Sequence, residues 1–516
     1  MKNKIKFLSI LSSLLLSGLG GETILAETKI SEKPLELKIH MHYWNRDAYD
    51  ENRLVPKKAA ELTNIKLKGV APKTGTNTME LFYLMLASGD LPDIVGGNSL
   101  RDEFMKYGME GAFIPLNDLI NENAPNIKKY LDENPNARKV ITAADGNIYY
   151  IPYAADGIAA RGYWIRQDWL DKLDLKAPDN IEELYEVLKA FRDKDPNGNG
   201  VKDEIPMVFR NWQEMVRLTT LWGARTAGTD SYLTFYEKDG KVRHGWTEPE
   251  FREGMKNIAK WYQEKLIDPE VFTRGNKTRE IMFGNNTGGM TRDWFASTAT
   301  LNKTLASQNP GINLQPIAPP TGVTGKKIEE NSRTLVKPDG WAITAANKNP
   351  VETIKYFDFF FDGIGRNLAN FGIEGIHYEI VDGKPIFKEE ILKGSKAVNS
   401  QLFEVGAQVP IGYRQNYEYE KQWTDELAMK GVNMYIENGY IIPEYLPPAM
   451  NEEEKKVYDT YWPTISTYIT ESVQNWVLKG MDIDKEWDGY TKNLEKLGLN
   501  KVLDAFQSAH DRVNKK

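Results

Sequence analysis

The chain has 516 residues, 41% of them apolar, with 66 Lys and Arg against 73 Asp and Glu and no Cys. That length predicts about two to four domains with real hydrophobic cores, and a net charge of −7 argues against nucleic acid as the main partner, since a duplex binder needs a basic face to displace condensed counterions. Without Cys, disulfides, thiolate metal sites and cysteine nucleophiles are excluded, so chemistry falls to carboxylates, hydroxyls, aromatics or a hard cation.

Residues 1–26 read as a signal peptide. Lys2, Lys4 and Lys6 precede an apolar run from Phe7 to Leu19, and Ile24-Leu25-Ala26 offers a small-residue cleavage site. Leu16-Ser17-Gly18 is followed by Leu19 instead of Cys, so the expectation is a free periplasmic protein without a lipid anchor. Removal of the segment leaves 63 Lys and Arg against 72 Asp and Glu, a charge near −9.

Leu35 to Trp44 alternates with period two and predicts a first strand. Helical spacing follows over 53–64 and from Thr76 to Gly89, then Asp93-Ile94-Val95 supplies a short buried strand. Strands alternating with helices predict βαβ units and a mostly parallel sheet. Asp145 to Tyr153 reads as a turn and a strand, after which the chain is expected to leave the first domain. Longer helices follow, each with a predicted capping box: Asp179 with Glu182, Thr247 with Glu250, and Asn349 with Glu352. A stretch rich in Pro, Gly and Thr over 308–347 holds a strand at Gly340–Ile343 and is read as the return crossing. The last third is largely helical and ends in a long amphipathic segment from Asp484 to Val513.

The sharpest local signal is Asp193 to Glu204. Oxygen-bearing side chains at Asp195, Asn197 and Asn199 alternate with Pro196 and glycines, and with the Val201 carbonyl, Asp203 and Glu204 they make up the oxygen count a structural Ca2+ requires. A solvated Asx-turn loop is the alternative. His40 and His42 share one face of the first strand, but no third zinc ligand lies nearby in sequence, so two histidines near a cleft rim are the preferred reading. No nucleophile elbow, phosphate loop or other catalytic signature marks out an active site.

Aromatics are abundant: 13 Trp, 25 Tyr and 19 Phe. Trp44, Trp212 with Arg210 and Gln213, Trp294 with Arg292 and Asp293, and Tyr413 with Arg414 stand beside polar groups in loop-like places. An aromatic face covers the C–H face of a sugar while neighbouring Arg, Gln and Asp bind hydroxyls or a carboxylate. The alternative is that these rings pack in the core and the arginines pair with surface acids.

Ala87 to Ile94, Trp169 to Leu173, Asn180 to Phe191 with the loop after it, and the tail from Trp487 to Arg512 together resemble the extracellular solute-binding proteins of carbohydrate ABC importers. The branch with a calcium loop, typified by alginate-binding and glycosaminoglycan-disaccharide-binding proteins, is the most similar. The resemblance implies an α/β, two-lobed periplasmic-binding-protein fold with mixed sheets flanked by helices, a hinge between the lobes and a helix-rich C-terminal part. The N-lobe is expected to comprise 27–155 and 335–400, and the C-lobe 156–334 and 401–516. It also implies a ligand aromatic at Tyr153 or Tyr150, a Trp at Trp294, a Tyr-rich stretch from Tyr413 to Tyr417, and a loop near the cleft that contains His377. The expected function is non-enzymatic capture, by a monomer, of an acidic, uronate-containing oligosaccharide for an ABC transporter permease, with a glycosaminoglycan disaccharide foremost. A secreted glycoside hydrolase or polysaccharide lyase is the alternative.

Overall fold

The computed structural model describes residues 29–44, 48–72, 77–226, 234–275, 277–330 and 333–514. The expected signal peptide lies outside them. In chain order the strands are β1 (Leu35–His42), β2 (Ile65–Gly69), β3 (Ile94–Gly97), β4 (Ile151–Ala154), β5 (Arg161–Arg166), β6 (Ile205–Val208), β7 (Phe235–Lys238), β8 (Lys241–His244), β9 (Gly288–Trp294), β10 (Leu314–Ile317), β11 (Val336–Ile343), β12 (Tyr378–Val381) and β13 (Lys384–Phe387).

They form two main sheets. The first has the order β2-β1-β3-β11-β4 and the second β10-β5-β9-β6. β1 lies parallel to β2 and β3, as alternation of strand and helix predicts. β11 returns from the second lobe and pairs antiparallel with both β3 and β4, which makes the sheet mixed. The second sheet is also mixed, with β5 antiparallel to β9 and β10 and β6 parallel to β9. Each sheet carries its own core. Leu37, Ile39, Met41, Ile94, Val95, Trp341 and Phe357 belong to the first. Ile165, Trp169, Phe191, Met255, Met290 and Trp476 belong to the second. Leu402, Ile411, Tyr413 and Tyr419 also pack in the first core, beyond the boundary expected at 400. The chain passes between the lobes through 155–160 and again ahead of β11, and helix Glu418–Trp423 of the first lobe leads into helix Glu426–Glu437 of the second.

Several local expectations shift. The cap of helix Ile181–Asp193 is Asn180, whose Oδ1 accepts from the Glu183 amide at 2.9 Å, one residue later than predicted. Thr247 gives its hydroxyl to the His244 carbonyl, and helix Pro249–Gln263 starts on a proline without a side-chain cap. Asn349 likewise precedes a proline start. A full capping box occurs at Asn451 and Glu454 instead, at the head of the 27-residue helix Glu452–Leu478. The terminal amphipathic segment is two helices, Ile483–Lys496 and Leu499–Asn514, separated at Gly498, whose φ of 98° breaks the helical path.

Candidate functional site

The crossings enter both sheets at one end, so the strand ends there face the opposite lobe. In the first lobe this end holds the last residues of β1, β3 and β4 and the first of β11. Gly97 (φ 139°) lies so close to β1 that a Cβ would stand 2.3 Å from the His42 carbonyl oxygen, so only glycine lets β3 end there. Asn98 and Ser99 then turn to Asp339, which accepts from the Asn98 amide at 3.2 Å and the Ser99 N–H at 2.9 Å. Asn98 Oδ1 accepts from the Trp44 N–H at 3.4 Å, and the Trp44 ring stands 69% exposed at the rim. Burial raises the Asp339 carboxyl pKa, opposed by these hydrogen bonds and by Lys337. Tyr153 is stacked on Tyr413 at 4.5 Å between centroids, and the Lys337 ammonium lies 4.2 Å from the Tyr153 centroid.

His40 and His42 meet one residue, Thr78. His40 Nε2 is 2.9 Å from its carbonyl oxygen and His42 Nδ1 is 2.9 Å from its hydroxyl. Burial lowers the His40 pKa to about 4, so the ring is neutral. Among the described residues no three His, Asp or Glu converge as a metal site.

The facing wall of the second lobe is built from charge. Arg161 opens β5, Arg292, Asp293 and Trp294 close β9, and Arg210 and Glu214 follow β6. Glu214 is buried and pairs with Arg161 and with Arg292 at 3.4 Å. Arg292, also buried, pairs in addition with Glu329, just before the second crossing. Asp293 Oδ2 receives Arg210 Nε at 2.9 Å and Arg279 Nε at 3.0 Å. Neither contact has hydrogen-bond alignment, so two guanidiniums share one oxygen with donor capacity to spare. Arg217 adds its charge beside Glu214, holding that carboxyl low together with Arg161 and Arg292 against the upward effect of burial. Five arginines therefore surround three buried carboxylates, with the partly buried Glu280 3.7 Å from Arg279 at the edge. The Arg161 guanidinium covers the Trp294 ring at 4.4 Å, a cation–π contact that orients the indole. Trp212 is half-buried against Phe272 and Trp246, with Gln213 beside it in the same short helix.

The remaining candidates lie elsewhere. Tyr150 is enclosed against Phe104. Tyr413 is fully buried and gives its hydroxyl to Gln408 at 2.7 Å, so it backs Tyr153. Arg414 lies over the Tyr130 ring at 5.6 Å. His377 is buried in a local turn, where its Nδ1 accepts from the Ile373 N–H at 3.0 Å. Sequence reading missed Arg161, Glu214, Arg279, Glu329, Lys337 and Asp339.

The loop after helix Ile181–Asp193 coils as its glycines predict, with Asp195, Gly198 and Gly200 at positive φ. Asp195 accepts from the amides of Gly198, Asn199 and Gly200 at 2.9–3.1 Å. Asp195, Asp203 and Glu204 do not by themselves converge on one point. The Asn197 and Asn199 side-chain oxygens accept from the Asn199 and Val201 N–H groups at 2.9 and 2.7 Å, and their amide nitrogens donate to Asp203. Both Glu204 carboxylate oxygens are buried without a hydrogen-bond partner, and burial, with Asp195 and Asp203 nearby, raises its pKa. An orphaned carboxylate beside carbonyl and amide oxygens is the donor set a hard cation takes.

The family model for bacterial extracellular solute-binding proteins matches residues 50–362. The fructooligosaccharide ABC transporter substrate-binding protein FusA of Streptococcus pneumoniae is 29% identical over 450 residues, 83% of this chain and 81% of its own length. Among solved structures, the alginate-binding protein AlgQ2 without calcium ion is 52% identical, with 94% of this chain and 99% of that one covered at a TM-score of 0.75. FusA in complex with kestose is 25% identical, with 92% and 99% covered at a TM-score of 0.68.

Proposed function

Because the chain belongs to the bacterial extracellular solute-binding proteins, with carbohydrate-importer components among its relatives, we propose that it captures a short uronate-containing oligosaccharide and delivers it to an ABC permease. The family is one of binding proteins, so the hydrolase or lyase alternative is set aside. The observation that carries the acidic ligand is the wall of five arginines around Glu214, Asp293 and Glu329. Guanidiniums gathered on one wall suit a carboxylate-bearing ligand, and Trp294 and Trp212 place apolar faces beside them. Relatives are named for alginate, an acidic sugar, and for fructooligosaccharide, a neutral one, and the arginines of this wall support the acidic reading. Trp44 and Tyr153 supply the opposite wall, and lobe closure selects the ligand that meets both. The loop of Asp195, Asn197, Asn199, Val201, Asp203 and Glu204 holds a structural Ca2+, supported by the orphaned Glu204 carboxylate; the cation would neutralise the loop and tie β6 to the helix before it.

Calorimetric titration tests the reading. Oligomannuronate and unsaturated chondroitin disaccharide are expected to bind stoichiometrically without turnover, and kestose and maltotriose at least tenfold more weakly. Equal or tighter binding of the neutral sugars overturns the acidic ligand, and release of shorter products overturns the receptor assignment.

A further inference from the structure

Residues 440–450 follow helix Glu426–Glu437 and lie in no helix or strand, yet all of them except Pro443 are at least partly buried. Pro443, Pro447 and Pro448 fix their own φ and hold the residues before them extended, so the segment is stiff in spite of lacking regular structure. Its side chains divide between the lobes. Tyr440 and Ile441 pack with helix Glu426–Glu437 in a third apolar cluster, on the second lobe. Tyr445 and Met450 pack against the second-lobe core, whereas Leu446 and Ala449 pack against the first. Adjacent residues thus serve opposite lobes twice, at 445–446 and at 449–450. Hydrogen bonds fix the segment at both ends. The Glu329 N–H donates to the Tyr440 carbonyl at 2.7 Å and the Glu329 carbonyl accepts from the Ile442 N–H at 2.9 Å, while the Glu329 carboxylate joins the arginine wall through Arg292. Glu444 Oε1 accepts from the Leu335 N–H at 2.9 Å, at the entry to β11 of the first lobe. Arg512, near the end of the last helix, donates to the Ala449 carbonyl at 2.8 Å and to both Glu454 oxygens at 2.7 Å. Two residues on, Asn514 Oδ1 accepts from Lys139 of the first lobe at 2.6 Å. Because one stiff strip packs on both cores, a change in the angle between the lobes strips it from one of them.

We propose that residues 440–450 are an interlobe strut that holds the two lobes near the angle at which they meet a ligand, and so sets the apparent affinity for every ligand by one common factor without touching any of them. The dissociation constant rises in inverse proportion to the fraction of protein at the binding-competent angle. The inference rests on the two-lobed binding fold and requires no particular saccharide.

The chain has no Cys, so Lys57→Cys and Lys492→Cys, both at exposed positions, place one spin label on a helix of each lobe. Pulsed double electron–electron resonance then reads the interlobe distance in ligand-free protein with the natural strut, with Pro443→Gly and with Leu446→Ala. Pro443→Gly loosens the backbone where the side chain is exposed, so it tests the strut without removing a packed group. Both variants should broaden the ligand-free distance distribution. In titrations with dimannuronate and with unsaturated chondroitin disaccharide, each should raise both dissociation constants by the same factor, about three- to tenfold. A purely structural role predicts a lower melting temperature with distances and constants unchanged well below it, and that result overturns the strut; so do tighter binding and unequal factors for the two saccharides. Failure of both saccharides to bind wild type overturns uronate capture, while the distances, measured without ligand, still decide the strut.

Discussion

Glu204 gives a sharp test of the cation loop, because its two buried oxygens lack partners in the protein. Replacing it by Gln keeps the shape and removes the charge. Six-oxygen loops with three carboxylates bind Ca2+ with Kd values of about 10⁻⁶–10⁻⁵ M. At about 1 mM Ca2+ the folded lobe gains about 2.7–4.1 kcal/mol. For a lobe of roughly 250 residues, each kcal/mol moves the melting temperature by about 2–4 °C, so wild type should melt about 5–16 °C higher in Ca2+ than in chelator. Differential scanning calorimetry reads this directly. The order of the two proteins should invert. In Ca2+, Glu204→Gln melts below wild type, because a strong ligand is lost; in chelator it melts at or above wild type, because an uncompensated buried charge is gone. The pH response follows the same charge. The Glu204 pKa is raised above its ordinary 4.5, so in chelator wild-type stability is greatest below pH 4.5 and is lost as pH rises through the raised value. Ca2+ requires the ionised carboxylate and abolishes that slope. Identical wild-type melting in Ca2+ and chelator, or a full Ca2+ increment in Glu204→Gln, refutes the assignment.

Glu329→Gln should cost about 3–5 kcal/mol in urea unfolding, since it leaves buried Arg292 with Glu214 as its remaining carboxylate; a loss under about 1 kcal/mol contradicts the buried network. Trp44→Ala should change stability by less than about 0.5 kcal/mol, given its 69% exposure, yet weaken oligouronate binding about tenfold; unchanged titration removes Trp44 from the cleft. Asp358 accepts from the Ile127 amide at 2.7 Å and the Asn126 side chain at 2.9 Å, and burial raises its pKa from 3.8 to about 6. Its contribution, about 3 kcal/mol, is full below pH 3.8 and lost as pH rises towards about 6, so Asp358→Asn should flatten the melting profile across that window.

Local pattern was enough for β1, since alternation in Leu35–His42 depends only on which side chains share a face. It was enough also for the turn of the Asp195–Glu204 loop, whose oxygen-bearing residues and glycines are contiguous in the chain. Cap positions slipped by a residue or vanished because a proline at the first helical turn leaves one donor fewer to satisfy. The site itself was half legible. Trp294 and Arg210 announced themselves as polar-flanked aromatic segments, but pairing of β5 with β9 and of β9 with β6 decided that Arg161, Arg292 and Glu214 meet. These residues lie up to 131 positions apart in sequence, and no local rule relates them. The same is true of Lys337, whose place over Tyr153 exists only because β11 returns from the other lobe to pair with β4. Sequence by itself determined which segments become strands, helices and an oxygen-rich loop, because those depend on neighbours along the chain. Tertiary structure alone decided which charges meet, because electrostatic partnership depends on distance and burial, and both are set by long-range pairing.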